Sequence, residues 1–187
     1  MEYSIIVATT IDGGIGLNGK IPWYLKDDME YFKFQTTYSR MGCVNAVIMG
    51  RNTWESLPEK VRPLANRINI IVSESYYLDK EKMDEFAQMK DVYVVPTLNN
   101  AHAKIKEMHN VDKIFVIGGE RLYKEALADH RYNKLLLTLI DIDVKCNTYF
   151  PLKLLDKRYN YINIIKVGIE NGIIYEMYEY RYLAHID

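Results

Sequence analysis

The chain has 187 residues, 49% apolar and 26% charged, which suits one packed domain over residues 1–187 and not a disordered chain. Its 24 basic and 25 acidic side chains leave a net charge of −1, so neither nucleic acid nor an anionic membrane surface is an expected partner. No apolar run reaches the roughly 20 residues of a membrane span, and MEYSIIVATT lacks the basic start and long apolar run of an export signal.

In chain order, YSIIVATT (Tyr3 to Thr10) is short, β-branched and apolar on both faces, as a central buried strand should be. Helical spacing follows from about Leu25 to Arg40. NAVIMG (Asn45 to Gly50) is a second buried strand and runs directly into RNTWESL. INIIVS (Ile68 to Ser73) is a third strand and VYVVP (Val92 to Pro96) a fourth. Thr97 should cap a helix that continues to about Met108. KIFVIGG (Lys113 to Gly119) is a fifth strand, followed by the helix ERLYKEALAD. KLLLTLID (Lys134 to Asp141) is a sixth. The tail YINIIKVGIENGIIYEMYEYRY reads as two long strands around Asn171-Gly172, a strong hairpin signal. Such strand–helix repeats predict an α/β fold. A mostly parallel central β-sheet carries helices on both faces, and the C-terminal hairpin adds antiparallel edge strands.

Cysteines number two, Cys43 and Cys146, with no CxxC pair; this fits a reducing cytoplasm and no disulfide framework. The histidines, His102, His109, His130 and His185, show no metal-ligand spacing, so no metal site is expected. They and the cysteines read as small core or surface groups, and GIENG (Gly168 to Gly172) reads as a turn.

Function in such a sheet is expected at the carboxyl ends of the strands. IFVIGGERLY places Gly118-Gly119 between a strand and a helix, where free N–H groups and the helix dipole favour phosphate. VIMGRNTW repeats the device with Gly50, Arg51 and Thr53. Glycine can also merely ease a tight turn, and the GxGxxG fingerprint is absent. In NGKIPWYLKDDMEYF, residues three and four apart share a helix face. Leu25, Asp28, Met29 and Phe32 therefore lie on the stripe that should face the sheet, and Asp27 lies on a polar arc with Glu30 and Tyr31. Asp28 is the candidate buried acid and Asp27 the solvated one. An acid in the first helical turn can equally serve the dipole; in an apolar pocket it would bind a hydrogen-bonding cation-like edge or supply a proton.

These stretches, with RPLANRINIIVS and TYFP, resemble dihydrofolate reductase in collinear order over some 150 residues. The resemblance implies that family's fold and hydride transfer from NADPH to the pterin ring of 7,8-dihydrofolate, giving tetrahydrofolate for one-carbon metabolism. The acid follows Trp23 by five residues, so Asp28 is the match. It would hold the pterin's 2-amino and N3 edge and support protonation of N5 through a water, with Thr138 orienting it and Trp23 closing over the substrate. Ile6, Val7 and Ala8 would floor the pterin site. Met29, Phe32 and Leu57 would pack on the substrate, Ile117 and Tyr123 would touch it, and Arg67 would pair with the glutamate tail's α-carboxylate.

For the cofactor, the resemblance implies Ala8, Ile15, Gly16 and Asn18, with Ile117 and Tyr123, on the nicotinamide side. Gly118, Gly119, Glu120, Arg121 and Leu122 form the pyrophosphate turn. Gly50, Arg51, Asn52, Thr53, Val72, Ser73 and Glu74 fall on the other phosphate turn and the adenosine side. Vertebrate-type members carry further basic residues where this chain has Asn52 and Glu74. Arg51 is thus the obvious partner for the 2′-phosphate, and the preference for NADPH over NADH should be modest. The glycines of DGGIGLNG suggest a moving loop. A folate-binding module without turnover, and the related pyrimidine reductase of riboflavin synthesis, are the competing classes. Binding of the antifolate methotrexate separates the riboflavin reductase from the other two. A monomer is expected, either free-standing or a domain of a fusion with thymidylate synthase.

Overall fold

The computed structural model describes residues 1–155 and 161–181. Its main sheet has eight strands. Six run parallel: β1 (Tyr3–Thr10), β3 (Val44–Gly50), β4 (Arg67–Val72), β5 (Val92–Val95), β6 (Val111–Val116) and β7 (Tyr132–Asp141). The hairpin β9 (Tyr161–Glu170) and β10 (Ile173–Arg181) joins antiparallel at the β7 edge, giving the order β5-β4-β3-β6-β1-β7-β10-β9. Asn171 and Gly172 take φ of 52° and 78°, the left-handed pair that a two-residue hairpin requires.

Helices cover both faces. α5 (Leu98–Lys106) and α6 (Glu120–Ala128) pack on one, with Leu98, Ala101, Ile105, Leu122 and Ala126 against Tyr3, Ile5, Val7, Ile48 and Ile70. On the other, Trp54 of α2 (Arg51–Ser56) and Phe86 of α4 (Lys80–Ala87) join Ile6, Val47, Met49, Ile71 and Phe115. The strand period of two sends alternate residues of β1 to opposite cores, and each fully buried aliphatic side chain contributes about 1.5–3 kcal/mol. Thr97 caps α5 as expected, accepting from Asn100 N. α3 (Glu74–Leu78), α4 and a small second sheet of β2 (Gly14–Gly16) with β8 (Thr148–Tyr149) were not foreseen. They carry no long apolar period of their own and form by docking on larger elements.

α1 (Lys26–Thr37) lies over the β7–β10 side of the second face, and only Thr36 of its residues is fully buried. Asn45 donates to Thr36 O and Tyr38 O, both at 3.1 Å, and so ties down its C-terminal end. Its N-cap, Leu25, offers no side-chain cap. The seat is narrow, so the expected stripe is only partly right. Leu25 is buried and Phe32 packs on the second core, whereas Met29 is 56% exposed at the rim.

His102 on α5 is 2% exposed, packs against Tyr3 with the rings tilted and their centroids 5.1 Å apart, and its ring nitrogens have no hydrogen-bond partner among the described residues. Burial lowers its pKa from 6.5 to about 4. The unfolded chain therefore binds a proton that the folded one refuses between those values, and stability falls as pH drops through this window. The loss should reach about 3 kcal/mol. Urea unfolding of the wild type should show it between pH 6.5 and 4, and His102→Leu should abolish that slope. An unchanged slope in the variant assigns the acid sensitivity elsewhere.

Candidate active site

The site is assembled where β1, β3, β4 and β6 end and where α1 crosses β7. Asp28 is half-buried on α1. Burial raises its carboxyl pKa, and a hydrogen bond donated by the Thr138 hydroxyl pulls it partly back. Thr138 is 2% exposed on β7 and pairs across to Ala8 on β1. A desolvated carboxylate oriented by a buried hydroxyl can both accept charge-assisted hydrogen bonds and hold a proton more readily than an exposed one. Around it, Ile6, Phe32, Leu57 and Ile117 belong to one apolar cluster, and Ala8 and Trp23 pack with Leu25 and Met177 in the adjoining one. Val7 departs from expectation: its side chain lies in the opposite core with α5 and α6, because successive strand residues alternate.

Arg67 is 8% exposed. Its Nη1 donates to Thr36 Oγ1 at 2.8 Å, its Nε to Ala65 O at 3.0 Å, and its guanidinium sits 5.9 Å from the Phe32 ring centre. Burial lowers its pKa. No carboxylate pairs with it among the described residues, so a desolvated cation waits beside the same apolar wall. Thr36 links this cation to α1 and was missed in the sequence. It lies eight residues after Asp28, about two helical turns, which was the available signal.

The glycine turns do meet. Gly50 N donates to Gly118 O at 2.7 Å. α2 and α6 begin at Gly50 and Gly119 with no side-chain cap, leaving N–H groups free for phosphate oxygens. A Cβ on Gly119 would stand 3.2 Å from Thr53 Oγ1, and one on Gly118 3.2 Å from the Tyr123 ring. Tyr123 lies beneath this turn and donates to Ile6 O at 3.0 Å. The arrangement fits a dinucleotide's pyrophosphate. Leu122 is the exception, since its side chain is buried in the main core. Arg121 is exposed, whereas half-buried Glu120 binds Lys124 at 2.6 Å and Tyr149 N at 2.9 Å.

At the second turn, Arg51 Nη1 donates to Ser75 Oγ at 3.2 Å, and Ser73 Oγ lies 3.2 Å from Ser75 Oγ. Ser75 was missed, although it stands two residues after Ser73. The acid nearest Arg51 is Glu55, at 3.9 Å. Glu74 and Asn52 are exposed, and Val72 is half-buried against the main core.

In the loop after β1, Ile15 packs on the main core, and Asn18 and Trp23 line one open groove of about 660 Å³. Gly16 O accepts from Asn147 N at 2.9 Å, and Asn18 and Asn147 exchange hydrogen bonds at 3.1 and 2.8 Å. Gly13, Gly14 and Gly16 thus have a packing reason: a Cβ on Gly14, for example, would meet Cys146 Sγ at 2.5 Å. Asp27 keeps solvent contact, as expected, but is not a free surface charge. Lys166 and the Tyr175 hydroxyl both bind its carboxylate.

No group of three or more His, Cys, Asp or Glu among the described residues is placed to hold a metal ion, and no helix there is long and apolar enough to cross a membrane. The dihydrofolate reductase family model matches residues 2–182. A dihydrofolate reductase of Schistosoma mansoni is 44% identical over 158 residues, 81% of this chain and 78% of that protein. One of Pneumocystis carinii is 35% identical over 163 residues, covering 85% and 78%. The bifunctional dihydrofolate reductase-thymidylate synthase of Glycine max is 35% identical over 153 residues, 80% of this chain and 28% of that protein. The solved Schistosoma mansoni dihydrofolate reductase superposes with a TM-score of 0.76 at 38% identity, covering 98% of this chain and 99% of that one. Sheet order, glycine turns and sequence thus converge: the chain belongs to the dihydrofolate reductase family, oxidoreductases that reduce dihydrofolate to tetrahydrofolate with a nicotinamide cofactor.

Proposed function

We propose that Asp28 binds the pterin's 2-amino and N3 edge and supports protonation of N5, and that NADPH is the preferred cofactor. The observation that carries this is a desolvated carboxylate, hydrogen-bonded by buried Thr138, beside an apolar wall that also holds the buried cation Arg67. The carboxylate accepts two charge-assisted hydrogen bonds from the ring edge. From that side it does not touch N5, so it acts on the proton through a water. Ile6, Phe32, Leu57 and Ile117 exclude bulk water from the ring. Arg67 takes the α-carboxylate of the glutamate tail.

NADPH, when bound, supplies the hydride. The N–H groups at Gly119–Leu122 and Arg51–Thr53 would hold its phosphates, and Arg51, Ser73 and Ser75 would face the 2′-phosphate. Methotrexate and related diaminopteridines present the same donor edge and pair with Asp28. The protein acts as a single domain over residues 1–187, monomeric and cytoplasmic, and is either free-standing or part of a thymidylate synthase fusion; relatives of both kinds support that last alternative.

The test follows absorbance loss of NADPH, and then of NADH, on adding dihydrofolate. Turnover with both is expected. Arg51 is a single cation that shares its charge with Glu55, and one charge-assisted contact is worth about 1.5–3 kcal/mol. The kcat/KM ratio should therefore favour NADPH by about 10- to 100-fold. A preference of many thousand-fold would sink the weak-selectivity reading. Absence of turnover in protein that still binds methotrexate would make this a folate-binding module.

A further inference from the structure

The N-terminal turn of α1 is held by one face of the edge strand β9. Lys166, Gly168 and Glu170 alternate along it and share that face. Glu170 supplies the cap that Leu25 lacks: Oε1 accepts from Lys26 N at 2.8 Å and Oε2 from Asp27 N at 3.1 Å. Lys166 pairs with the Asp27 carboxylate, and Tyr175, 1% exposed on β10, donates its hydroxyl to the same carboxylate. Gly168 makes room for that ring, since a Cβ there would stand 2.3 Å from Tyr175 Oη.

Register ties this face to the candidate acid. Thr138 pairs with Met177, and Met177 with Lys166, so the three form one row across β7, β10 and β9. The two ends of the row hold the two adjacent carboxylates, Thr138 on Asp28 and Lys166 on Asp27. Buried Met177 fills the space between.

We propose that Asp27, Lys166, Glu170 and Tyr175 form a clamp that positions the first turn of α1, and through it the Asp28 carboxylate, for reduction of dihydrofolate. Asp27 is a positioning residue; Asp28 is the catalytic one. This rests on the reading of Asp28 given above. Lys166 also offsets the Asp27 charge one residue from Asp28. The other titratable groups facing the pair are Tyr31 and Lys26 on α1, Tyr123 on α6, and Glu170 and Tyr175 on the hairpin.

The test measures kcat and KM for dihydrofolate across pH in Lys166→Met, Asp27→Asn and the double variant. Lys166→Arg is the conservative control and Asp28→Asn runs alongside. Lys166→Met should lower kcat/KM about 10-fold without changing KM for NADPH. With the Asp27 charge uncompensated, the midpoint of its pH–rate profile should move up by about half a unit. In Asp27→Asn, which leaves the Lys166 charge bare, the midpoint should move down, and in the double variant, which removes both charges, it should return towards the wild-type value. Lys166→Arg should restore the wild-type profile. Identical pH profiles in Lys166→Met and Asp27→Asn, whatever their thermal stability, overturn the clamp provided Asp28→Asn alters the profile. A profile untouched by Asp28→Asn overturns the reading of Asp28 instead.

Discussion

Asp28→Asn should lower kcat for dihydrofolate reduction by about 10²- to 10⁴-fold near neutral pH. The amide keeps the shape and the hydrogen bond from Thr138 but carries neither the charge nor an exchangeable acid proton. The loss should shrink in acid, where the substrate arrives already protonated and the side chain has less to supply. Burial raises the Asp28 pKa, so protonated carboxyl persists above the ordinary carboxylate range and supports turnover at higher pH than an exposed aspartate would. Stopped-flow absorbance at the NADPH band, from acid to alkaline pH, checks both the size and the slope. Turnover untouched by the substitution would move the acid role to another residue, with Asp27 next in line by position.

Arg67→Leu should raise KM for dihydrofolate by about 10²-fold with little change in kcat. The guanidinium lies away from the reacting ring, so it binds ground state and transition state alike, and losing uniform binding appears in KM. Charge-assisted hydrogen bonds of about 1.5–3 kcal/mol each set the scale. Arg67→Lys should recover only part of it, because an ammonium cannot reproduce a planar fork. The burial of Arg67 and its two contacts to Thr36 and Ala65 also mean that the variant exposes a cavity, so binding should be read beside a thermal melt. A pteridine lacking the glutamate tail should bind wild type and variant equally. If the variant weakens that ligand too, Arg67 acts through α1 and not on the tail.

Much of the fold was legible because its strands are apolar on both faces. Tyr3–Thr10 was read to the residue, since a short β-branched run that ends before turn glycines has few other states. The Thr97 cap and the Asn171-Gly172 hairpin were legible for local reasons, a hydroxyl before a helix and a left-handed pair. The glycine turns were legible as chemistry too, because the same strand–glycine–helix device occurs twice. What could not be read was anything set by narrow contact. Met29 shares a helical face with Leu25 on paper, yet α1 touches the sheet along too thin a line to cover it. Glu74 stands where vertebrate-type members carry a basic residue, yet the acid that reaches Arg51 is Glu55, one turn along α2.

The two aspartates of α1 show where the division falls. Sequence alone determined which of them faces the sheet, because helical period and the neighbouring Leu25 and Phe32 decide a face without any partner being known. Only the tertiary structure decided what Asp27 does. Its partners lie about 140–150 residues away, as Lys166 and Tyr175 on strands whose register across β7, β10 and β9 is set by the packing of the whole sheet.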